Sequence, residues 1–356
     1  HLGQFCKASI FHIDTRTSAK FSTMVATQSV NRNPAAIPRV LVVGSHCHDV
    51  LSLDNGAVRV ESLGGAAAFI SNILDGLQIP FHLVSKVGPD FRYPISLSHP
   101  PIVVSSKTTV FHATFHKPTP DSHPIRILRR VAACDPITPE DLPDGLSFDF
   151  GMAVGVAGEI LPETLERMLA ICGVVFADVQ ALIRGFSEDG EVRHVGLRET
   201  GFADLVWRME GIKASTEEAG YVEVDEMAAR GCCVVVTRGS EGCRVYMKGG
   251  EISVPPFAAV EMDPTGAGDS FLGGFVGGLV NGLCVPEAAM VGNLFGCLAV
   301  QQVGLCEYDD RFLQRIRDEL RLRRSQNKKC DRFSSGEDAD LSEFQTSLMM
   351  TMMETP

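Results

Sequence analysis

The stretch DPTGAGDSFLGGF, Asp263 to Phe275, runs a glycine turn into an apolar-striped segment. Gly266 and Gly268 sit in the turn, Asp269 follows, and Phe271, Leu272, Phe275, Val276 and Leu279 then recur at helical spacing. The first amides of a helix have no intrahelical acceptor, and the dipole adds about half a positive charge there. Residues without a Cβ let an anion approach that backbone closely, so the pattern is an anion cradle. A dinucleotide fingerprint needs a third glycine where Phe271 stands, and a Walker A loop needs Lys-Ser/Thr where Asp269 and Ser270 stand. Both fail. An aspartate at the mouth of an anion cradle repels its ligand unless it does chemistry. Hydrogen-bonded to a substrate hydroxyl, Asp269 accepts the proton as the oxygen attacks phosphorus, while the Gly266–Gly268 amides stabilise charge on the transferring group. A role as a plain helix cap accounts for the aspartate but not for both glycines.

The chain has 356 residues, 45% hydrophobic and 21% charged, enough for one large or two ordinary folded domains. Its net charge of −12 and the lack of a dense Lys/Arg run argue against nucleic acid as a partner. Eleven cysteines without C-x-x-C spacing lie mostly in apolar runs such as Gly231-Cys232-Cys233-Val234, the usage of a cytoplasmic protein with reduced thiols. The longest apolar stretch, Phe271 to Val285, is about 15 residues, short of the roughly 18 to 20 of a membrane span. Residues 1–37 carry one acid, Asp14, and no hydrophobic period. They are expected to be disordered or extraneous to the domain, either transit-peptide-like or sequence preceding Met24. Residues 325–356 are polar before a Met-rich tip and are expected to form a disordered tail.

Between these ends, β-branched runs alternate with helical periods, which predicts an α/β domain over 38–324 with a mostly parallel sheet. Expected strands are 39–43, 81–84, 152–156, 174–177, 232–237 and 243–246. Expected helices are 65–77, 162–171, 216–229, 286–302 and 310–323. Two pieces break the order: 57–63, and the alternating pair 108–116 and 126–132 around the turn KPTPDSHP. They read as lid strands, about 57–63 and 106–132, placed to cover the carboxyl ends of the sheet.

With these residues in place, the chain resembles the ribokinase-like (PfkB) carbohydrate kinases, whose signature is D-x-x-G-A-G-D followed by an aromatic residue. The resemblance covers about Pro38 to Arg323. It implies a three-layer α/β fold with a small β lid and an ATP- and Mg²⁺-dependent phosphotransferase acting on an alcohol. It further implies Asp269 as base, with Gly266, Ala267 and Gly268 as anion hole, and a nucleotide site with Ser215, Thr237, Gly239 and Asn293. Glu218, at the family's acidic N-x-x-E position, is implied to hold Mg²⁺ through water, and Asp49, Gly64 and Gly65 to contact the acceptor. Many relatives use a monovalent cation near the loop that contains Asp263, and the lid strands would allow a homodimer.

Two positions depart from the pattern. Ser215 replaces the Asn of N-x-x-E, and Phe69 replaces the Asn of G-G-x-x-x-N, which disfavours a ribose-like ligand. Within the family, GSHCHDV, LGGAAAFISNIL and RVAACDPI are most similar to the inositol-phosphorylating branch. Myo-inositol is therefore the expected polyol, with fructose, ribose or a nucleoside as alternatives. A catalytically silent sensor or scaffold is the alternative outside enzymes.

GSHCHDV, Gly44 to Val50, has the residue types of a metal site. Alternation at a strand end nevertheless sends His46 and His48 to one side and Cys47 and Asp49 to the other, so the four do not converge. The resemblance selects Asp49 alone, as the carboxylate at the end of the first strand that grips the acceptor.

Overall fold

The computed structural model describes residues 39–53, 59–93, 98–116, 125–326 and 341–353. The segment expected to be unstructured at 1–37 and the turn at 117–124 lie outside them. Strand β1 (Val40–Gly44) leads through Ser45 and His46 into β2 (Cys47–Leu53), followed by β3 (Arg59–Gly64) and helix α1 (Ala66–Gly76). Strands β4 (Phe81–Val84), β5 (Lys86–Val87), β6 (Ile102–Val103), β7 (Thr109–His116) and β8 (Ile125–Ala132) come next. The middle holds β9 (Phe148–Val154), α2 (Pro162–Ile171), β10 (Cys172–Asp178), α3 (Gln180–Ile183), β11 (Arg184–Phe186) and β12 (Val192–His194). Then follow β13 (Gly211–Ser215), α4 (Val224–Ala229), β14 (Cys233–Thr237), β15 (Cys243–Met247) and β16 (Gly250–Val254). Four helices complete the described chain: α5 (Ala267–Val280), α6 (Val285–Ala299), α7 (Asp310–Gln326) and α8 (Leu341–Met353).

Eight strands form the central sheet in the order β16-β15-β14-β13-β10-β9-β1-β4. Pairing is parallel from β14 to β4, and β15 and β16 extend it antiparallel. The run Val40-Leu41-Val42-Val43 is fully buried because helices cover both faces. Val40 and Val42 belong to one core with Ile70 of α1, Phe271 of α5 and Val291 of α6. Leu41 and Val43 belong to another with Leu165 of α2 and Met227 of α4. This is the expected three-layer ribokinase-like architecture. The glycines of α5 suit its crowding: a Cβ at Gly274 would stand 2.9 Å from the Val291 carbonyl oxygen.

The lid is a separate four-stranded sheet, order β3-β2-β7-β8. Asp49 therefore lies within a lid strand, not at the end of β1 as expected. The chain breaks at Ser45-His46, where Gly65 follows β3 with φ 90°, and a Cβ on Gly65 would meet the Ser45 carbonyl oxygen at 2.3 Å.

Two further expectations are corrected. Segment 216–229 is not one helix but a 3₁₀ turn at Glu218–Tyr221 and then α4, with Val222 drawn into the core between them. The expected disordered tail contains α8, whose Phe344 and Leu348 are buried in the core. Leu341, Phe344 and Leu348 are spaced by three and four, so one apolar face docks. Gln345 Nε2 donates to the Pro256 carbonyl oxygen at 2.8 Å, and the Arg323 guanidinium, paired with Glu287 at 2.7 Å, lies over the Phe344 ring.

Candidate active site

A cavity of about 780 Å³ opens where the carboxyl ends of β10 and β13 and the start of α5 face the lid. Its size suits one small ligand with its reaction partner. Gly266 caps α5 with φ 77°, a left-handed conformation that glycine adopts without strain. A Cβ there would lie 2.2 Å from the Phe69 ring. Phe69 therefore packs directly under the glycine loop and lines the cavity.

Asp269 stands in the first turn of α5 and lines the cavity. Gln180 Nε2 donates to its Oδ1 at 3.1 Å. Enclosure raises its carboxyl above the usual range, while the charges of Lys213 and Arg184 restrain the rise. Such a group is a better proton acceptor than an exposed aspartate. Lys213, buried on β13, donates to Asp178 Oδ2 at 2.8 Å. Burial opposes the Lys213 charge, but Asp178, Glu218 and Asp269 outweigh it and hold the ammonium above its ordinary value. Burial pushes Asp178 up to about 6, with Lys213 pulling the other way. A Cβ on Gly268 would meet Lys213 Nζ at 2.7 Å, so this ammonium lies beside the glycine loop.

Glu218 and Ser215 bond reciprocally: the Ser215 amide donates to Glu218 Oε2 at 2.8 Å, and the Glu218 amide to Ser215 Oγ at 3.2 Å. Burial works against the Glu218 carboxylate, yet Lys213 and the Ser215 bonds keep it below the usual range. Serine thus fills the place of the expected asparagine by fixing the acid. Across the cavity, Asp49 lies against the backbone of β3, and a Cβ on Gly64 would overlap its carboxylate at 2.0 Å. Gly65 also lines the cavity.

Asp269, Gly266, Gly268, Ser215, Glu218, Asp49 and Gly65 therefore border one space. Thr237, Gly239 and Asn293 do not border it. Thr237 Oγ1 donates to the Ala214 carbonyl oxygen, and Asn293 Nδ2 donates to the Val254 and Pro255 carbonyl oxygens at 3.1 and 2.8 Å. That asparagine ties α6 to the chain leaving β16. Gly239, with φ 55°, has open space around it.

GSHCHDV divides as alternation predicts. His46 is buried with Nδ1 2.9 Å from Ser85 Oγ, and His48 stacks on Phe91 and accepts from the Arg92 amide. Burial lowers His46 to about 4, so its ring is neutral. Cys47 borders the cavity, but burial and then Asp49 raise its thiol far from nucleophilic reach. Among the described residues no group of three or more His, Cys, Asp or Glu is arranged to hold a metal.

Sequence reasoning missed Gln180, Arg184, His194 and Lys213, which border the cavity, and Asp178, which pairs with Lys213. The only signal was Lys213 itself, a lysine in the middle of the short run Gly211-Ile212-Lys213-Ala214.

The pfkB family of carbohydrate kinases matches residues 206–310. The inositol 3-kinase of Arabidopsis thaliana is 52% identical over 323 residues, covering 89% of each chain. That of Zea mays is 53% identical over 293 residues, 79% of this chain and 76% of its own. In fold, the chain is similar to a pyrophosphate-dependent kinase of the ribokinase family complexed with a pyrophosphate analog and myo-inositol. The TM-score is 0.62 at 17% identity, covering 76% of this chain and 98% of that one. Ribokinase from Thermotoga maritima gives 0.56 at 19%, over 75% and 94%.

Proposed function

The chain belongs to the pfkB family of carbohydrate kinases, and on that premise we propose that it transfers the γ-phosphoryl group of ATP to a hydroxyl of myo-inositol. The observation that carries this reading is Asp269 at the glycine-loop start of α5, facing Asp49 across a cavity of small-ligand size. Asp49 accepts hydrogen bonds from ring hydroxyls and holds one hydroxyl toward Asp269. That hydroxyl gives its proton to Asp269, its oxygen bonds to the γ-phosphorus, and the bond from phosphorus to the β-phosphate oxygen breaks. The products are inositol monophosphate and ADP. The amides of Gly266, Ala267 and Gly268 take up charge on the transferring oxygens. Phe69 offers the C–H face of a ring an apolar support where an asparagine would ask for a hydroxyl.

Glu218, one carboxylate fixed by Ser215, fits the sparse ligation of Mg²⁺, which keeps most of its waters and binds largely to phosphate. When bound, Mg²⁺ supplies charge neutralisation for the donor phosphates. A monovalent cation at the Asp263–Thr265 turn belongs to the same reading. Among the described residues, Asp263 Oδ2 and Thr265 Oγ1 are buried there without hydrogen-bond partners, while Asp263 Oδ1 accepts from the Thr265 amide at 2.9 Å. Thr237, Gly239 and Asn293 then shape the adenosine side from outside the reacting cavity.

A cytoplasmic setting fits the reduced cysteines, and no helix among the described residues is long and apolar enough to cross a membrane. Lid pairing in a homodimer would use β3, since the Arg130 amide of β8 already donates to Gly190.

Incubation of the purified protein with γ-labelled ATP and a panel of myo-inositol, fructose, ribose and adenosine tests the reading. Label on inositol is expected. Preferential label on another acceptor replaces the substrate, and a scaffold labels nothing.

A further inference from the structure

Arg184 has no part in the scheme above, yet its charge bears on Asp269 and Glu218, the base and the metal-holding acid of that scheme. It closes the short helix α3, one turn after Gln180, and borders the cavity that holds Asp269. Its field bears on Asp269, Glu218 and Cys47. Its donors are nevertheless mostly unspent. Nη1 donates to the Val156 carbonyl oxygen at 3.3 Å, Nε is buried without a partner, and among the described residues no carboxylate lies within ion-pair distance.

Lys213, the other cation of the cavity, shows the contrast, because its Nζ is bound to Asp178. Arg184 is also held in place. The Val156 and Ala157 amides donate to Glu159, which accepts from Ser45 Oγ as well, so the carbonyl that anchors the guanidinium is itself fixed. A guanidinium carries five N–H donors in a planar fork matched to phosphate oxygens; Arg184 is half-buried at the cavity wall with its Nε buried and unbonded, so the fork is available to an anion in the cavity.

We propose that Arg184 is a further catalytic residue, binding the oxygens of the phosphoryl group as it passes to the acceptor and holding that group on the product. The glycine-loop amides would approach the phosphoryl group from the α5 side and Arg184 from the β11 side, with Asp269 between them. The proton still goes to Asp269 and the leaving group is still ADP; Arg184 neither gains nor loses a proton. The proposal rests on the kinase reading.

The discriminating experiment is calorimetric titration of the full chain with myo-inositol and, separately, with myo-inositol monophosphate, for wild type, Arg184→Met, Arg184→Gln and Arg184→Lys. A charge-assisted hydrogen-bond pair of this kind corresponds to roughly 10- to 150-fold in affinity. Arg184→Met and Arg184→Gln should lose about that factor for the monophosphate and stay within about twofold for inositol. Arg184→Lys, with the charge but not the fork, should fall between them. In turnover, kcat should fall while KM for inositol holds. Equal loss for both ligands would make Arg184 an acceptor contact, and no change for either would make it structural; each overturns the proposal. Should Arg184→Met melt early, the Gln and Lys variants carry the comparison. Wild type that labels and binds no inositol removes the kinase reading first, an outcome visible before any variant is made.

Discussion

The floor of the cavity brings Lys213, Glu218 and Asp269 together, with Asp178 bound to Lys213 behind them, whereas its roof offers Cys47, Phe111, Ala113 and Leu128 around one carboxylate, Asp49. On the floor the charges hold one another: Lys213 stays charged because three acids surround it, and two cations, Lys213 and Arg184, oppose the rise that burial imposes on Asp269. On the roof a single charge meets apolar surface. A floor of that kind suits proton and phosphoryl transfer, and a roof of that kind suits gripping hydroxyls while excluding water that would compete as acceptor.

Perturbing each wall separately should separate these roles. The largest effect belongs to the floor: Asp269→Asn should lower kcat by about 10²- to 10⁴-fold, with inositol affinity by calorimetry little changed. Retained turnover would shift the base to another group and break the contrast. Gly266→Ala forces a side chain into a left-handed backbone and into the Phe69 ring, and should cost about 10²- to 10³-fold in kcat, comparable to the loss of an oxyanion-hole donor. On the roof, Asp49→Ala should raise KM for inositol by roughly 10- to 100-fold and leave KM for ATP within about twofold. A kcat collapse instead would mean that the roof takes part in the chemistry.

Least in size is an effect outside both walls. The fold holds His46 neutral, near 4 against an unfolded value of about 6.5, so its stabilising contribution is present above pH 6.5 and is lost as pH falls toward 4. Between pH 7 and 5 this amounts to about 2 kcal/mol, read as the difference in denaturation profile between wild type and His46→Gln. Asp178, raised to about 6, acts in the opposite sense over part of the same window, which is why the variant and not the bare profile is the measurement.

Much of the floor was legible where its cause is local. The glycines of Gly266–Gly268 and the apolar stripe behind them announce a helix start that binds an anion, and Val40–Val43 announces a strand covered on both faces. Partnerships across the chain left no trace: Gln180 meets Asp269 from 89 positions away, and Lys213 meets Asp178 from 35. Strand β13 escaped notice because that lysine interrupts its apolar run. The roof was half legible. Alternation separated His46 and His48 from Cys47 and Asp49, but not the break at Ser45-His46 that moves Asp49 from the central sheet to the lid. Helix α8 within the 325–356 segment was not legible because polar composition masked the spacing of Leu341, Phe344 and Leu348.

Helix α8 has a consequence for the order in which the protein becomes itself. Chains emerge at about 5–20 residues per second and tend to fold from the N-terminus as they do so. By Gln326 every group of the floor and roof has been synthesised, yet the core that Phe344 and Leu348 fill is still open on the side of α6 and α7. A ribosome-bound chain halted before Leu341 would carry a full set of reactive side chains on an unsealed body. The apolar face of α8, carrying Phe344 and Leu348, is the part of the described chain that covers this side of the core.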